Sequence, residues 1–330
     1  MKHTTLFNIV AAVFVLVGVS ACSSNDDGDE PTNPTPTDPT ERKLVIGVSA
    51  NPWLDENGNA RETRGAVITT QTLNKFSMHW NQDWDIYANY TVNRGNDGKW
   101  IPTPENSIQG DNWPAERSIP ISFYAHTAGN YNYNGGNMYI SFNSEEASGF
   151  QHDLLLSKIT NVTYNGTGGV IWFTFDHACA AVEFNVQITN KLRTQLGTDL
   201  TVNSIELKNI AKTGDCYYST GSGNQIGEWK NVGDSQGNET SGYTNYTLTQ
   251  SEITVKTDLQ SLTCNTMFVI PQKLREDSEL EIRYTLPGKA KADTTKISLE
   301  DTEWNAGHLY PINIVLGTKL ILGTTQTQNP

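Results

Sequence analysis

Past residue 22 the chain has no apolar run long enough to cross a bilayer. It is also poor in positive charge: 23 Lys and Arg face 36 Asp and Glu, a formal net charge of -13. No basic cluster interrupts that field, which excludes a nucleic-acid partner. Cysteine is scarce as well. Of four, three lie beyond Cys22, at Cys179, Cys216 and Cys264. An odd number cannot all pair, and none has CxxC or metal-ligand spacing, so buried free thiols are expected, with one disulfide left open. His79, His126, His152, His177 and His308 show no HxxH, HExxH or HxH spacing, and no metal site is expected. There is no GxSxG and no glycine-rich phosphate loop before a helix. Asp83 and Asp85 flank Trp84, as a glycosidase pair could, but they read as a solvated strand edge. No catalytic residue and no cofactor are expected. Helix signals are nearly absent, and only Asn190 to Leu196 fits a turn or two.

What is present begins at the N-terminus. Lys2 and His3 form a short basic region, and Leu6 to Val19 form an apolar region too short for a comfortable span. It closes in Val19-Ser20-Ala21-Cys22, small residues before a cysteine, which is the pattern of a bacterial lipobox. In that chemistry residues 1–21 are removed, and diacylated Cys22 becomes the N-terminus. Acyl chains at ~0.8 kcal/mol per buried CH2 hold a protein on a bilayer without a transmembrane helix. Residues 22–42 are acidic and then Pro/Thr-rich, a solvated tether that cannot repay its ordering entropy. The acidic run at Asp26 to Glu30 resembles the signal by which some Gram-negative anaerobes send lipoproteins to the outer face of the outer membrane.

The remaining chain, about 290 residues, suffices for two ordinary domains or one large sandwich. Abundant Gly, Asn and Thr with short apolar runs predict an all-β fold. Leu44, Ile46 and Val48 alternate as in a half-buried strand. Asp55 to Gly65 carries charge and turn residues without apolar periodicity, and predicts an exposed loop that a protease can reach. Further strands are predicted around Phe76, Tyr87, Ile121 to Ala125, Val170 to Phe175 and Val182 to Ile188, and then through Leu316. The compact run Asp176 to Ala181 marks a junction between an N-terminal domain, 43–176, and a C-terminal one, 177–330.

In order and spacing these features resemble the fimbrillin family, subunits of the lipoprotein-derived (type V) pili of anaerobic gut and oral bacteria. The resemblance rests on the lipobox, the early strand, Thr63-Arg64-Gly65, Asn112-Trp113-Pro114 and Ile121-Ser122-Phe123-Tyr124-Ala125-His126. It continues through Asp153-Leu154-Leu155, Phe175-Asp176-His177-Ala178, Met267 to Gln272 and Trp304 to Tyr310. It implies two tandem transthyretin-like antiparallel β-sandwich domains and an assembly route. A protease cuts between Arg64 and Gly65, and the strand carrying Leu44, Ile46 and Val48 leaves. The groove then accepts a neighbour's C-terminal segment around Leu320, Ile321 and Leu322. Implied partners are other fimbrillin subunits, outer-membrane lipid through Cys22, and a host or bacterial surface ligand, which places the protein on the cell surface. Gly317 and Gly323 weaken a strand interior, which leaves stalk, tip, anchor and accessory roles open. A second function class also stands. Trp53, Trp80, Trp84, Trp100, Trp113 and Trp229, with Tyr131 and Tyr133, would let a non-polymerising surface lipoprotein stack on glycans, although most such rings are core.

Overall fold

The computed structural model describes residues 44–61, 72–82, 85–104, 120–134, 137–144, 153–163, 170–218, 227–233, 242–249, 251–262 and 266–322. The first half supplies β1 (Val45–Ala50), the short β2 (Trp53–Leu54) and β3 (Ala60–Arg61), β4 (Lys75–Gln82), β5 (Asp85–Arg94) and β6 (Trp100–Pro104). It continues with β7 (Ile121–His126), β8 (Asn130–Asn134), β9 (Asn137–Asn143), β10 (Leu155–Val162) and β11 (Val170–His177). Next come β12 (Ala180–Ile188), helix α1 (Asn190–Leu196), β13 (Leu200–Ala211), β14 (Thr213–Tyr217), β15 (Glu228–Lys230), β16 (Tyr243–Thr247) and β17 (Ile253–Val255). The chain then runs through β18 (Gln260–Ser261), β19 (Met267–Val269), β20 (Gln272–Lys273), β21 (Glu279–Thr285), β22 (Asp293–Ser298), β23 (Glu303–Trp304), β24 (Leu309–Leu316) and helix α2 (Thr318–Leu322). The fold is all-β, as the composition predicts. No helix among the described residues is long and apolar enough to cross a membrane.

Period-two alternation explains the first core. Phe76, Met78 and Trp80 on β4, Ile121 and Phe123 on β7, and Ile171, Phe173 and Phe175 on β11 all turn inward and are buried together. The strands form a ring in the order β1-β11-β10-β7-β4-β5-β6, and β6 returns to β1. Where a two-sheet sandwich would stay open, this half closes, because β1 finds a partner on each side. It runs parallel to β11 from Val45↔Val170 to Ala50↔Phe175, and it meets β6 only at Ile46↔Trp100. Closure removes the ladder edges that would otherwise invite another chain.

The second core is a sandwich. β12 lies beside β24 in parallel and pairs with β18 and β19 in antiparallel. Its apolar residues Val182, Phe184 and Val186 face Val202, Ile205 and Leu207 of β13 and Leu280 and Ile282 of β21. β12 is buried on both faces, which suits its position in the middle of a sheet. The polar members of its other face are satisfied: Thr266 donates to Glu183 Oε1 at 2.9 Å, and Asn185 Nδ2 to Asn313 Oδ1 at 3.0 Å. Helix α1 sits where the sequence places it. Thr189 Oγ1 accepts from the Leu192 N–H at 3.2 Å, and Gly197, at φ 73°, closes the C-terminus onto the Arg193 carbonyl.

The barrel core draws on Leu44 to Phe175 and the sandwich core on Ala180 to Ile321, while residues 176 and 177 end β11. A third core lies between them. Its sheet, in the order β15-β14-β9-β8, takes strands from both sides of residue 177. Met138, Ile140, Leu154, Cys179, Cys216 and Phe268 meet there.

Candidate functional site

The segment 44–61 occupies two sockets, one in the barrel and one in the third core. In the barrel Leu44 and Ile46 are buried, and Val48 and Ala50 pack on the same cluster. Beneath β1 lie the rings of Phe76, Phe173 and Phe175, with Phe76 centred 5.2 Å from Phe175 and 5.6 Å from Phe173. The outer face of β1 is bound to β11 by side chains in register. The Ser49 and Thr174 hydroxyls are 3.0 Å apart, Trp172 Nε1 donates to Ser49 Oγ at 3.2 Å, and Asn51 Nδ2 donates to Asp176 Oδ1. Burial raises the Asp176 carboxyl above its usual range, and the Asn51 amide works against that rise.

In the second socket Trp53 is buried. Its ring stacks on His177 at 3.9 Å between centroids, and lies 5.8 Å from Phe268. His177 Nδ1 is held 2.7 Å from Asp153 Oδ2 with both side chains buried. The next residue, Leu54, donates its N–H to the Gly307 carbonyl at 2.9 Å and bridges His308. Asp153, His177, Phe268, Gly307 and His308 thus come from four separate motifs of the sequence, and they converge on the seat of one tryptophan. That explains why order and spacing carried information that no single motif held.

Cys22, Arg64 and Gly65 lie outside the described residues, as do Asp83, Trp84, Trp113, His152 and Cys264. Leu44, Ile46 and Val48 share the inner face of β1. Leu320, Ile321 and Leu322 are not extended: they form the one-turn helix α2 after the β24 ladder ends at Leu316. The Gly317 carbonyl accepts from the Leu320 and Ile321 N–H groups at 3.1 Å. Tyr284 donates to the Ile321 carbonyl at 2.7 Å, and Thr295 to that of Leu320 at 3.2 Å. Ile321 is buried in the sandwich core and Leu322 is exposed. In the uncut chain the donor segment implied by the resemblance is thus neither extended nor free, since the buried Ile321 side chain and satisfied carbonyls hold it.

Trp53 and Trp80 are core residues, and Trp100 and Trp229 are half-buried. Among the described residues the most exposed tryptophan is Trp172, 59% accessible. Sequence reasoning passed over it, although alternation in Val170 to Phe175 sets it opposite Ile171, Phe173 and Phe175. Cys179 and Cys216 are free and buried, and burial pushes both thiols up, so they stay protonated. Among the described residues no three His, Cys, Asp or Glu side chains converge as a metal site would require.

One buried pair is sensitive to pH. His79 Nε2 and His126 Nε2 are 3.0 Å apart, with Tyr131 stacked on His79 at 3.8 Å. His126 Nδ1 donates to the Ala128 carbonyl at 2.9 Å, which leaves Nε2 as its acceptor. A second proton would sit in a dry interior against His79, so burial first and His79 second lower the His126 pKa to about 4. The unfolded chain takes that proton near pH ~6.5. Stability from this group is therefore complete above that pH and is lost as pH falls toward about 4, by at most about 3 kcal/mol. Denaturant midpoints measured from pH 7 to 5 should fall less steeply in His126→Gln than in wild type. Equal slopes would remove His126 from the account.

The family described as fimbrillin-like matches residues 55–330, well over half of the chain. A candidate cell adhesion protein of Parabacteroides distasonis superimposes with a TM-score of 0.50 at 9% identity, over 86% of this chain and 90% of its own. One of Bacteroides ovatus gives 0.49 at 14% identity, over 83% and 92%. A fimbrial assembly protein of Parabacteroides distasonis gives 0.43 at 8%, over 82% and 90%. At these identities the first speaks for the fold alone. No curated protein matches the chain.

Proposed function

The chain belongs to the fimbrillin-like family, and from that membership we propose that it is a structural subunit of a cell-surface fimbria, assembled by protease-triggered strand exchange and serving adhesion. It reaches the outer membrane as a lipoprotein acylated at Cys22, and it is divided functionally into residues 43–176 and 177–330. Cleavage after Arg64 severs β1 from the barrel it closes, and a neighbouring subunit's C-terminal segment replaces it. The supporting observation is the way β1 is held: a full ladder to β11, but a single pair to β6. Such a strand can leave as a unit and bare an edge beside an apolar slot. An incoming strand restores main-chain bonds and burial together. The contact is heterologous, so it propagates as a filament.

Full-length protein cut by an arginine-specific protease should form ladders that resist warm detergent. Leu322→Asp should block them and leave the monomer folded, because Leu322 is exposed there. Leu320→Asp is the less clean variant, since Leu320 packs on the sandwich core. Ladders unaffected by either change would show that the tail is not the donor. A Cys22→Ala chain that still incorporates labelled palmitate would remove the anchor. The second reading, a non-polymerising lipoprotein that binds glycans, draws on the exposed face of Trp172. It gains if cut protein stays monomeric and Trp172→Ala abolishes retention on a glycan array.

A further inference from the structure

The barrel slot has a rule that its apolar pattern does not express. On the outer face of β1, Gly47 lies opposite Trp172, and a Cβ placed there would overlap the ring atoms Cε3, Cζ3 and Cδ2. The indole occupies the space over that glycine, with its Nε1 donating to Ser49 Oγ. Any strand that takes the place of β1 and leaves the indole where it lies must be apolar at the buried inward positions of Leu44 and Ile46 and must have no side chain beneath Trp172.

The geometry points to Trp172 as a register key, and to the tail Leu320 to Thr325 of a second copy of this chain as the segment it admits, with Gly323 in the place of Gly47. This rests on the strand-exchange reading above. Laid on Leu44-Val45-Ile46-Gly47-Val48-Ser49, the tail reads Leu320-Ile321-Leu322-Gly323-Thr324-Thr325. Leucine falls on leucine, two aliphatics fall on aliphatics, and glycine falls on glycine. Thr324 replaces Val48 with the same β-branched shape, and Thr325 keeps a hydroxyl where Ser49 Oγ meets Trp172 Nε1 and Thr174. In this parallel register Leu320 and Leu322 face the barrel core, and Ile321 comes beside Val170, as Val45 does now.

The glycine does what alternation cannot. A slip of one residue turns the apolar face outward and is rejected by burial alone. A slip of two keeps the alternation intact, but places Ile321 or Thr325 under the indole, which must then be pushed out of its place. The upstream run Ile314 to Lys319 has a similar pattern around Gly317, yet Ile314 and Leu316 are buried in the β24 ladder with β12. The later run is held by less, one helical turn with Ile321 buried and two side-chain bonds to its carbonyls, and is therefore the donor on this reading. On this account Gly323 sets the register, although it lowers strand propensity.

The test uses full-length chains cut after Arg64. Gly323→Val should reduce ladder yield at least tenfold, Trp172→Ala should polymerise, and the double variant should recover. Gly317→Ala should behave as wild type, since a Cβ there meets only Thr189 Cγ2 at 3.8 Å. In a mixture of Thr174→Cys chains with Thr325→Cys chains, a disulfide should join two different chains. Undiminished ladders from Gly323→Val, or no recovery in the double variant, would overturn the key and leave strand exchange standing. If wild type itself forms no ladder, strand exchange fails first. If a chain carrying both cysteines closes only on itself, the second copy is the wrong occupant. Separately from assembly, Gly47→Ala should lower the denaturant midpoint of the uncut chain, and Trp172→Ala should restore it; no change would overturn the contact itself.

Discussion

Trp53→Ala is expected to destabilise the uncut chain by about 3–5 kcal/mol, the usual cost of emptying a buried aromatic site. Trp53 is 2% exposed and sits between His177 and Phe268. The surrounding strands come from β10, β11, β19 and the turn before β24, so the site cannot collapse by moving one element. Its Nε1 has no hydrogen-bond partner among the described residues. Trp53→Phe should therefore recover much of the loss, because no bond is forfeited. Trp53 also lies upstream of Arg64, so under the proposed route it departs together with β1. The leaving segment is then anchored twice, by aliphatic side chains in the barrel and by an indole in the third core. After cleavage, Trp53→Ala should weaken retention of that segment by roughly a hundredfold or more, since each ~1.4 kcal/mol is tenfold. Size exclusion of cut protein over time measures this. Equal retention in Trp53→Ala and wild type would mean that the barrel alone holds the segment.

Local patterns reveal what short sequence windows contain. Alternation in Val170 to Phe175 and Val182 to Ile188 gives β11 and β12, and Thr189 with Gly197 frames α1, because those signals depend on neighbours in the chain. Barrel closure depends instead on β1 meeting β11 in parallel, far along the sequence, and no window contains both strands. The tail shows a different limit. Three apolar residues between two glycines satisfy a strand or a helical turn equally well, and the choice is made by Tyr284 and Thr295, which bond the helical carbonyls. At the candidate site, Leu44, Ile46 and Val48 were legible from their period. The Trp53 seat was not, because its components are single residues in separate motifs. The role of Gly47 is visible only from the indole that covers it.

Ile46→Asp is expected to open the barrel without any cut, and this is the larger effect in functional terms. Ile46 is buried against the aromatic cluster and is the one residue of β1 paired on both sides, to Ile171 and to Trp100. Removing it forfeits about 1.5–3 kcal/mol of burial, and a carboxylate forced into the same place costs several more. The barrel can avoid that cost by releasing β1, which gives up its ladder to β11 and a single pair to β6, while the other six strands keep their own pairings. The uncut variant should then bind a synthetic peptide spanning Leu320 to Thr325, with near-native far-ultraviolet circular dichroism. Val45→Asp carries the same charge one residue away, but on the outer face where Val45 is 47% exposed, and it should bind no peptide. A chain that unfolds completely on Ile46→Asp would identify β1 as an integral barrel strand and would count against exchange. A chain that stays closed, as stable as Val45→Asp, would show that the slot does not depend on Ile46.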